Sequence, residues 1–433
     1  MRYTFSLFIY RLLLLLLLPV VILLLVIRSH SHTAYRQRIL ERLGFILAKF
    51  QQGGIVVHAA SVGEVIALKP FIEQLLLEEP NLPITLTTFT PTGSAQVQKI
   101  FSQRVQHCYL PLDVFPCTWL FLKKLKPKAL VLMETELWPN LIAQCHQRNI
   151  KLQLINARLS DKSMRSYRKI DWLIKPCLQR FDNILSQSED NQQNFLDLGA
   201  NKDVCQVAGN LKFDLQINPE VKQLEQELSQ VIEGERKIWL VASTHPGDEQ
   251  LILKSFTLLK QQHDDLLLIL VPRHPERFES VYQLCQQHNM NTVKRSSKNL
   301  INRHDDIWLI DTLGELLASC GLADVVTMGG SFSNIGGHNP LEPALFKKAI
   351  VVGHDMANFK NVMTQLHSQQ GIEQLSTDKN SSEQAVIIAL SEKVGGLFTD
   401  QHKRDLLGGN AFQVVHVNQG ASERSMKALL QLL

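Results

Sequence analysis

The sequence predicts an α/β fold with two successive domains, each built on an open parallel sheet. The chain has 433 residues, which is more than a single hydrophobic core usually serves. Short apolar runs alternate with longer helical patterns, as they do in βα units. The alternation stops once, at residues 216–236, where charged and glutamine side chains surround Pro219 and Gly234. We therefore predict a linker there, between domains at 31–215 and 237–433, the second of which includes the C-terminal helices.

The N-terminus carries an unbroken apolar run from Leu12 to Ile27. At ~1.5 Å per residue a helix of this length reaches about 24 Å, somewhat short of a ~30 Å hydrocarbon core. Phe5 to Tyr10 could complete a span if Arg11 reached a headgroup. No small-residue cleavage site follows; basic residues do: Arg28, Arg36, Arg38, Arg42 and Lys49. We therefore predict that residues 1–30 anchor the protein in a membrane, as a span or within one leaflet, with the remainder on the cytoplasmic side.

The strands follow from the apolar runs, taken in order. In the first domain six runs predict strands: Ile55–His58, Ile84–Thr88, Ala129–Met133, Leu152–Ile155, Ile184–Ser186 and Val204–Val207. A helix is expected to begin near Val62. In the second domain five runs predict strands: Ile238–Ala242, Leu266–Val271, Ile307–Ile310, Val325–Met328 and Ala349–Val352. Because ligands of such sheets bind beyond the carboxyl ends of the strands, the residues just after each strand are the candidates for function.

Composition excludes several classes of protein. Apolar residues make up 45% and charged residues 20% of the chain, both ordinary for a globular protein. A net charge of +4 does not indicate the concentrated basic face of a nucleic-acid-binding protein. The seven cysteines are scattered and never form a CxxC pair, so neither a disulfide framework nor a zinc site is predicted.

The first candidate segment is HAASVGEV, residues 58–65, directly after the first predicted strand. Its small residues would let a ligand approach the backbone closely. Glu64 falls in the first turn of the predicted helix, where the helix dipole favours a carboxylate for stability alone. A carboxylate at the end of a strand is also well placed to act as a general base. Both interpretations of Glu64 remain open.

Two further segments of the first domain carry charges after a strand. In METELWPN, residues 133–140, Glu134 and Glu136 could form an acidic metal pair, but no clustered His or Asp ligands support a magnesium shell. One glutamate at the ligand site and one in a structural hydrogen bond is the preferred interpretation. In GNLKFD, residues 209–214, Lys212 is either a solvated charge or a group that neutralises an anionic substrate.

The second domain repeats the pattern with groups that suit a nucleotide. In VPRHPERF, residues 271–278, Arg273 suits bidentate contact with phosphate, although the charges of this loop could also be surface decoration. DTLGEL, residues 311–316, is another turn after a strand, and its glycine would let a base or ribose approach closely. MGGSFSNIGGHNPLEPA, residues 328–344, exposes the amides of four glycines and contains Glu342, which could accept hydrogen bonds from ribose.

Six segments of the chain, in order, resemble the 3-deoxy-D-manno-oct-2-ulosonic acid (Kdo) transferases of Gram-negative envelopes. The matching segments are HAASVGE, ETELWPN, NARLSDKS, GNLKFD, PRHPERF and GGHNPLEPA, within residues 35–400. The resemblance implies a GT-B fold, with two Rossmann-like domains facing a cleft after an N-terminal membrane-anchoring helix. It also implies transfer of Kdo from the donor CMP-Kdo to the glucosamine disaccharide of a lipid A precursor, at the cytoplasmic face of the inner membrane.

The resemblance also assigns roles to residues by motif position. Glu64 corresponds to the catalytic base, and Glu136 and Lys212 to positions that stabilise the transition state. The positions that correspond to CMP-binding residues are Pro272, Arg273, Leu313, Gly314, Glu315, Asn339, Pro340, Leu341 and Glu342. Neither a metal nor any other cofactor is expected, and no nucleic acid partner.

Two other functions compete with this interpretation. One is a transferase for another lipid-linked nucleotide sugar, which would release UDP rather than CMP. The other is a membrane-anchored nucleotide-binding protein without catalysis, which would not need Glu64.

Overall fold

The computed structural model describes residues 2–31 and 38–433, which form two compact units. The first unit extends to Asp214 and includes Asn418–Leu433, and the second is Leu215–Val417. Arg36 and the side chain of Arg28, both part of the predicted basic cluster, lie outside the described residues.

The first unit contains a seven-stranded parallel sheet. Its strands are β1 (Ile55–His58), β2 (Ile84–Thr88), β3 (Gln106–Tyr109), β4 (Ala129–Met133), β5 (Lys151–Ala157), β6 (Asn183–Ser186) and β7 (Cys205–Val207), in the spatial order β3-β2-β1-β4-β5-β6-β7. The helices of this part are α1 (Arg2–Ser31), α2 (Ile39–Arg42), α3 (Val62–Ala67), α4 (Lys69–Glu78), α5 (Pro91–Phe101), α6 (Phe115–Leu125), α7 (Pro139–Gln147), α8 (Asp161–Arg168), α9 (Asp171–Leu178) and α10 (Glu189–Asp197).

The second unit repeats this architecture. Helix α11 (Pro219–Ser229) leads into strands β8 (Ile238–Thr244), β9 (Leu267–Pro272), β10 (Thr292–Lys294), β11 (Ile307–Leu309), β12 (Val325–Met328), β13 (Ala349–Val352) and β14 (Glu373–Gln374), in the parallel order β10-β11-β9-β8-β12-β13-β14. The remaining helices are α12 (Asp248–Lys260), α13 (Phe278–Gln287), α14 (Leu316–Leu322), α15 (Leu341–Leu345), α16 (Lys360–Ser368), α17 (Glu383–Thr399), α18 (Gln401–Asn418) and α19 (Ala421–Leu430).

The prediction of two parallel α/β sheets is confirmed. Every predicted strand overlaps an observed one. Central parallel strands are buried on both faces and read as continuous apolar runs, and β7 was found although it is a partly exposed edge strand. Three observed strands, β3, β10 and β14, were not predicted. All three lie at sheet edges, where partial exposure admits polar residues such as Gln106 and Lys294 and breaks the pattern.

The domain boundaries differ from the predicted ones at both ends of the second unit. The predicted linker, 216–236, contains α11, which contacts α14 within that unit. The predicted C-terminal helices divide: α19 belongs to the first unit, where Ala421, Met426 and Leu429 join the apolar layer on one face of the sheet. Asp214 fixes this return, since its buried carboxylate accepts hydrogen bonds from the backbone amides of Gly420 and Ser422.

The first turns of α1 pack on the first unit. Leu7 is buried, and the Tyr10 hydroxyl donates to the carboxylate of Asp113 over 3.0 Å. Arg11 donates to the side chain of Asn140 over 2.7 Å and lies over the ring of Phe115. The condition for a full span, that Arg11 reaches a lipid headgroup, is therefore not met, because its guanidinium is held against α6 and α7.

The rest of α1 differs from its first turns. Its apolar side chains are exposed at Leu12, Leu13, Leu15, Leu16, Leu17, Val20, Leu23 and Ile27. Within residues 2–31 and 38–433, no helix combines the length and the apolar character that crossing a membrane requires.

Two members of the predicted basic cluster have structural partners. Arg42 is 3% exposed, donates to the carbonyl of Phe89 and lies over the ring of Tyr109. Arg38 pairs with Glu41 and donates to the carbonyl of His107. These two arginines hold α2 against β3.

The contacts of α1 give a testable prediction. Replacing Tyr10 by Phe and Arg11 by Met in the full chain should lower the thermal midpoint, because the buried groups of Asp113 and Asn140 lose partners at about 1–3 kcal/mol each. Deleting residues 1–30 should leave a folded protein with a similarly lowered midpoint, since both sheets are complete without α1. Phe8→Ser, at a side chain that is 61% exposed, is the matched control. Equal midpoints for the double variant and the native chain in the same detergent would show that α1 does not dock.

Candidate active site

The first cluster of polar groups lies at the carboxyl ends of the strands in the first unit. Ser61 caps the N-terminus of α3, and its hydroxyl donates to the carboxylate of Glu64 over 2.8 Å. The amide of Ala60 donates to the other carboxylate oxygen over 2.9 Å. The side chain of Glu64 is thus held in one position at the end of β1, as a capping box would hold it.

The surroundings of Glu64 favour its protonated form. Burial raises the pKa of this carboxyl, and the neighbouring carboxylates of Glu134 and Glu136 raise it further, while the two hydrogen bonds from Ala60 and Ser61 oppose the shift. A fixed carboxylate with a raised pKa is what a general base near neutral pH needs. The helix-start interpretation explains the capping contacts but not the neighbouring carboxylates.

Glu134 occupies a strained turn after β4. Its backbone adopts a φ of 57°, in the left-handed region that non-glycine residues rarely enter. Burial raises the pKa of its carboxyl, and the positive charges of Lys212 and Arg158 oppose that rise. Such strain is typical of functional sites and persists only where surrounding contacts hold it.

Glu136 has different partners. Its carboxylate accepts a hydrogen bond from the Trp138 indole over 2.8 Å and lies 3.7 Å from Nε2 of the buried His58. Nδ1 of His58 lies 3.2 Å from the carbonyl oxygen of Thr87. These contacts favour Glu136 as the glutamate in a structural hydrogen bond. Glu134 is then the glutamate at the ligand site. The assignment of Glu136 to transition-state stabilisation stays a prediction, with Glu134 as its competitor.

Backbone contacts join the three motifs of this cluster. The amide of Arg158 donates to the carbonyl of Glu134 over 3.4 Å, and the Thr135 hydroxyl donates to the carbonyl of Arg158. Asn156, at a φ of 51°, accepts from the amide of Leu211 over 3.0 Å and so fixes the turn that carries Lys212. Sequence reasoning gave no role to Asn156 or His58, although both lie within motifs that it singled out.

The second cluster lies at the carboxyl ends of the strands in the second unit. Pro272 ends β9, and the exposed Arg273 follows it, its amide donating to the carbonyl of Thr244 over 3.1 Å. Burial raises the pKa of Glu342 to about 7, while Arg273 and a hydrogen bond from Asn339 oppose the rise. The structure thus brings Arg273, Asn339 and Glu342 together, as expected of one binding site; Pro340 and the buried Leu341 begin α15 beside them.

The turn after β11 is more tightly bound than its sequence indicates. Leu313 is 63% exposed, and Gly314 adopts a φ of 96° in open space, so this loop presents its backbone to solvent. The carboxylate of Glu315, in contrast, accepts from Arg295 over 3.0 Å and from the Thr312 hydroxyl over 2.6 Å. Glu315 therefore shapes the turn, and its direct contact with a nucleotide stays a prediction.

Two histidines of the second unit, His245 and His338, are in direct contact. Nε2 of His245, after β8, is 2.8 Å from Nε2 of His338, in the glycine-rich segment. Asp248 draws the two loops together, since its carboxylate accepts from the amides of His245 and Gly330. Gly330 adopts a φ of 68°, and a Cβ there would lie 3.0 Å from the His338 ring. Glycine is therefore required where the pair forms.

No group of three or more His, Cys, Asp or Glu side chains able to hold a metal ion occurs in the part of the chain that the structure describes. The carboxylates of Glu64, Glu134 and Glu136 instead have hydrogen-bond donors or positive charges as partners.

Comparison with known proteins decides the family. The chain is 39% identical over 397 residues to a 3-deoxy-D-manno-octulosonic acid transferase of Haemophilus influenzae, covering 91% of each chain. The protein belongs to the Kdo transferase family. The family model for the kdotransferase N-terminal region matches residues 37–215, and the protein is accordingly a glycosyltransferase.

Solved structures support the fold. UDP-GlcNAc 2-epimerase from Neisseria meningitidis is similar with a TM-score of 0.57 at 16% identity, over 87% of this chain and 100% of that one. A glycosyltransferase from Rickettsia africae gives a TM-score of 0.52 at 14% identity, over 88% and 97%. At these identities the likeness concerns the fold alone: two parallel-sheet α/β domains of the GT-B type.

The PRHPERF motif of this Kdo transferase contains a buried ion pair. Arg277 donates to both carboxylate oxygens of Glu249, over 2.6 and 3.0 Å, and Glu249 is 1% exposed. The Thr244 hydroxyl donates to the same carboxylate. The interpretation of Arg277 as surface decoration is therefore wrong, because its guanidinium neutralises a carboxylate at the first turn of α12.

The pair gives a second prediction. Arg277→Gln should destabilise the second unit by about 3–5 kcal/mol, because it leaves the buried Glu249 charge without its cation. Glu276→Gln, one residue away on a side chain that is 76% exposed, is the matched control and should unfold like the native chain. Urea unfolding followed by tryptophan fluorescence would measure both, and equal midpoints for the two variants would contradict the role given to Arg277.

Proposed function

We propose that the protein transfers Kdo from CMP-Kdo to the glucosamine disaccharide of a lipid A precursor, with inversion and without a bound metal, in lipopolysaccharide biosynthesis. Membership of the Kdo transferase family supports the sugar that is transferred. The observation that carries the mechanism is the carboxylate of Glu64, fixed by Ala60 and Ser61 at the end of β1 with a raised pKa.

Glu64 acts as the general base. The acceptor is a primary hydroxyl, which is a weak nucleophile until its proton is removed. As the hydroxyl oxygen bonds to the anomeric carbon of Kdo, its proton passes to Glu64 and the bond from that carbon to the phosphate oxygen breaks. CMP departs with the bonding electrons. A single displacement of this kind inverts the anomeric centre.

Lys212 offsets negative charge near the reacting centre. Kdo carries a carboxylate beside its anomeric carbon, so the donor brings two anionic groups to the site. The positive charge of Lys212 acts on Glu134 and also acts on the sugar carboxylate when substrate binds. Motif position assigns Glu136 to this step, while the contacts described above favour Glu134.

The second unit binds the donor. Arg273 binds the phosphate, and Glu342 and Asn339 bind the ribose. The exposed backbone of Leu313 and Gly314 contacts the base. The shared electrostatic environment of Arg273, Asn339 and Glu342 supports this assignment. The alternative donor, a UDP-sugar, is distinguished by the nucleotide released in a single turnover.

The protein acts at the cytoplasmic face of the inner membrane, held by the N-terminal segment. The exposed leucines of α1 beyond Arg11 support this proposal, since an apolar helix surface binds the interface between headgroups and acyl chains. The acceptor is itself an acylated, anionic lipid, so association with the bilayer brings enzyme and acceptor together.

The role of Glu64 gives the sharpest prediction. Glu64→Gln keeps the shape of the side chain but cannot accept a proton, so turnover should fall by ~10²–10⁴, while CMP binding stays unchanged. In the native enzyme, turnover should fall with decreasing pH as Glu64 becomes protonated, at a pH above the ordinary range of a glutamate. A purely structural Glu64 would instead give nearly normal turnover with a stability loss below ~1 kcal/mol.

Glu134→Gln and Glu136→Gln extend this experiment. If Glu134 acts with Lys212, its variant should lose the greater part of its turnover, while the Glu136 variant loses thermal stability through the Trp138 and His58 contacts. The opposite pattern would restore Glu136 to the reacting centre. A non-catalytic nucleotide-binding protein would show no turnover in the native chain.

The metal-free mechanism gives a further prediction. EDTA should leave transfer from saturating CMP-Kdo unchanged, because Lys212 and Arg273 supply the positive charge that a divalent cation would otherwise supply. The measurement is initial rate with and without chelator after exhaustive dialysis. Loss of activity in EDTA that magnesium or manganese restores would overturn the mechanism.

A further inference from the structure

His245 and His338 form a hydrogen bond that limits their charge. Their Nε2 atoms are 2.8 Å apart and their rings are nearly parallel, at 6°. A short contact between two imidazole nitrogens requires one N–H donor and one lone pair, so at least one ring is neutral. The pair can therefore hold one extra proton in a charge-assisted N–H···N bond, but a second proton would place two donors against each other.

Positively charged side chains surround the pair. Burial, together with the positive charge of Arg273 and of the histidines His245 and His274, lowers the pKa of His338 to about 4. The pKa of His245 is also lowered, by burial first and then by His274, Arg277 and Arg273. Both rings are consequently neutral at pH 7. A bound anion would offset the surrounding positive charges and favour protonation of the pair.

Carboxylates near the pair already have partners. Glu249 is neutralised by Arg277. Asp248 accepts from the backbone amides of His245 and Gly330, and burial raises its pKa to about 6. Asp248 is therefore the one other group of α12 whose protonation must be distinguished from that of the pair.

We propose that the His245–His338 pair is a proton-linked receptor for the phosphate of the donor nucleotide, which takes up one proton when the nucleotide binds. The inference rests on the proposed function, in which Arg273, beside the pair, meets this phosphate. A bound phosphate offsets the surrounding cations and stabilises the protonated pair. The proton then sits next to the group that gains negative charge when CMP departs, which stabilises the leaving group.

The experiment measures proton uptake by calorimetry with the full chain in detergent, using CMP as the probe. Heats of binding at pH 7 in buffers of different ionisation enthalpy should show uptake approaching one proton per CMP. Affinity should rise up to tenfold per unit as pH falls from 8 to 7. Cytidine, which lacks the phosphate, should bind without proton uptake.

Variants locate the proton. His338→Asn and His245→Asn should each abolish most of the uptake and flatten the pH dependence of affinity, while still binding CMP at pH 8.5. His402→Asn, at an exposed residue of α18, and Asp248→Asn should retain the uptake. Thermal midpoints verify that each variant is folded.

The outcomes separate this inference from the proposed function. CMP binding without proton uptake, or uptake that survives in both pair variants or is lost only in His274→Asn or Asp248→Asn, would overturn the inference and leave the donor assignment intact. Failure to bind CMP at any pH would instead overturn the proposed donor.

Discussion

The constraint on which the structure depends is that each parallel sheet is covered on both faces. Every residue of β1, β4, β8 and β12 is buried. These strands therefore cannot carry solvated polar side chains along their length. Parallel strands also place all their carboxyl ends at one edge. Polar side chains can reach solvent at that edge. Carboxylates, lysine and imidazoles from distant parts of the sequence therefore form two clusters there, one in each unit.

The backbone is strained where those groups are presented. Glu134, Asn156 and Ser243 have φ values of 57°, 51° and 58°, and each lies at or just after the end of a strand. Such conformations cost of order 1–3 kcal/mol each and persist only when neighbouring contacts hold them. The contacts of Asn156 with Leu211, and of Arg158 with Glu134 and Thr135, provide this support in the first unit. These hydrogen bonds therefore hold the motifs of the first unit in fixed positions relative to one another.

The sequence predicted what depends on local pattern and missed what depends on distant partners. Central strands were found because burial on both faces gives continuous apolar runs, whereas the edge strands β3, β10 and β14 lack that pattern. The segments of the site were found because they follow strands. No local signal could show that Trp138 and His58 contact the carboxylate of Glu136. The ion pair of Arg277 with Glu249, and the contact of His245 with His338, 93 positions away, were equally invisible in the local sequence. Sequence order likewise could not show that α19 returns to the first unit.

The return of α19 follows from the same constraint. The first sheet needs an apolar cover over β5, and Gln153 of that strand donates to the carbonyl of Ser425 in α19. Asp214, the last residue before the second unit begins, accepts from the amides of Gly420 and Ser422, where the chain re-enters the first. One carboxylate thus ties the exit of the chain to its return. Because Lys212 lies two residues before Asp214, the turn that carries Lys212 and the chain connection to the second unit share one anchoring point, and a change that loosens Asp214 would also loosen that turn.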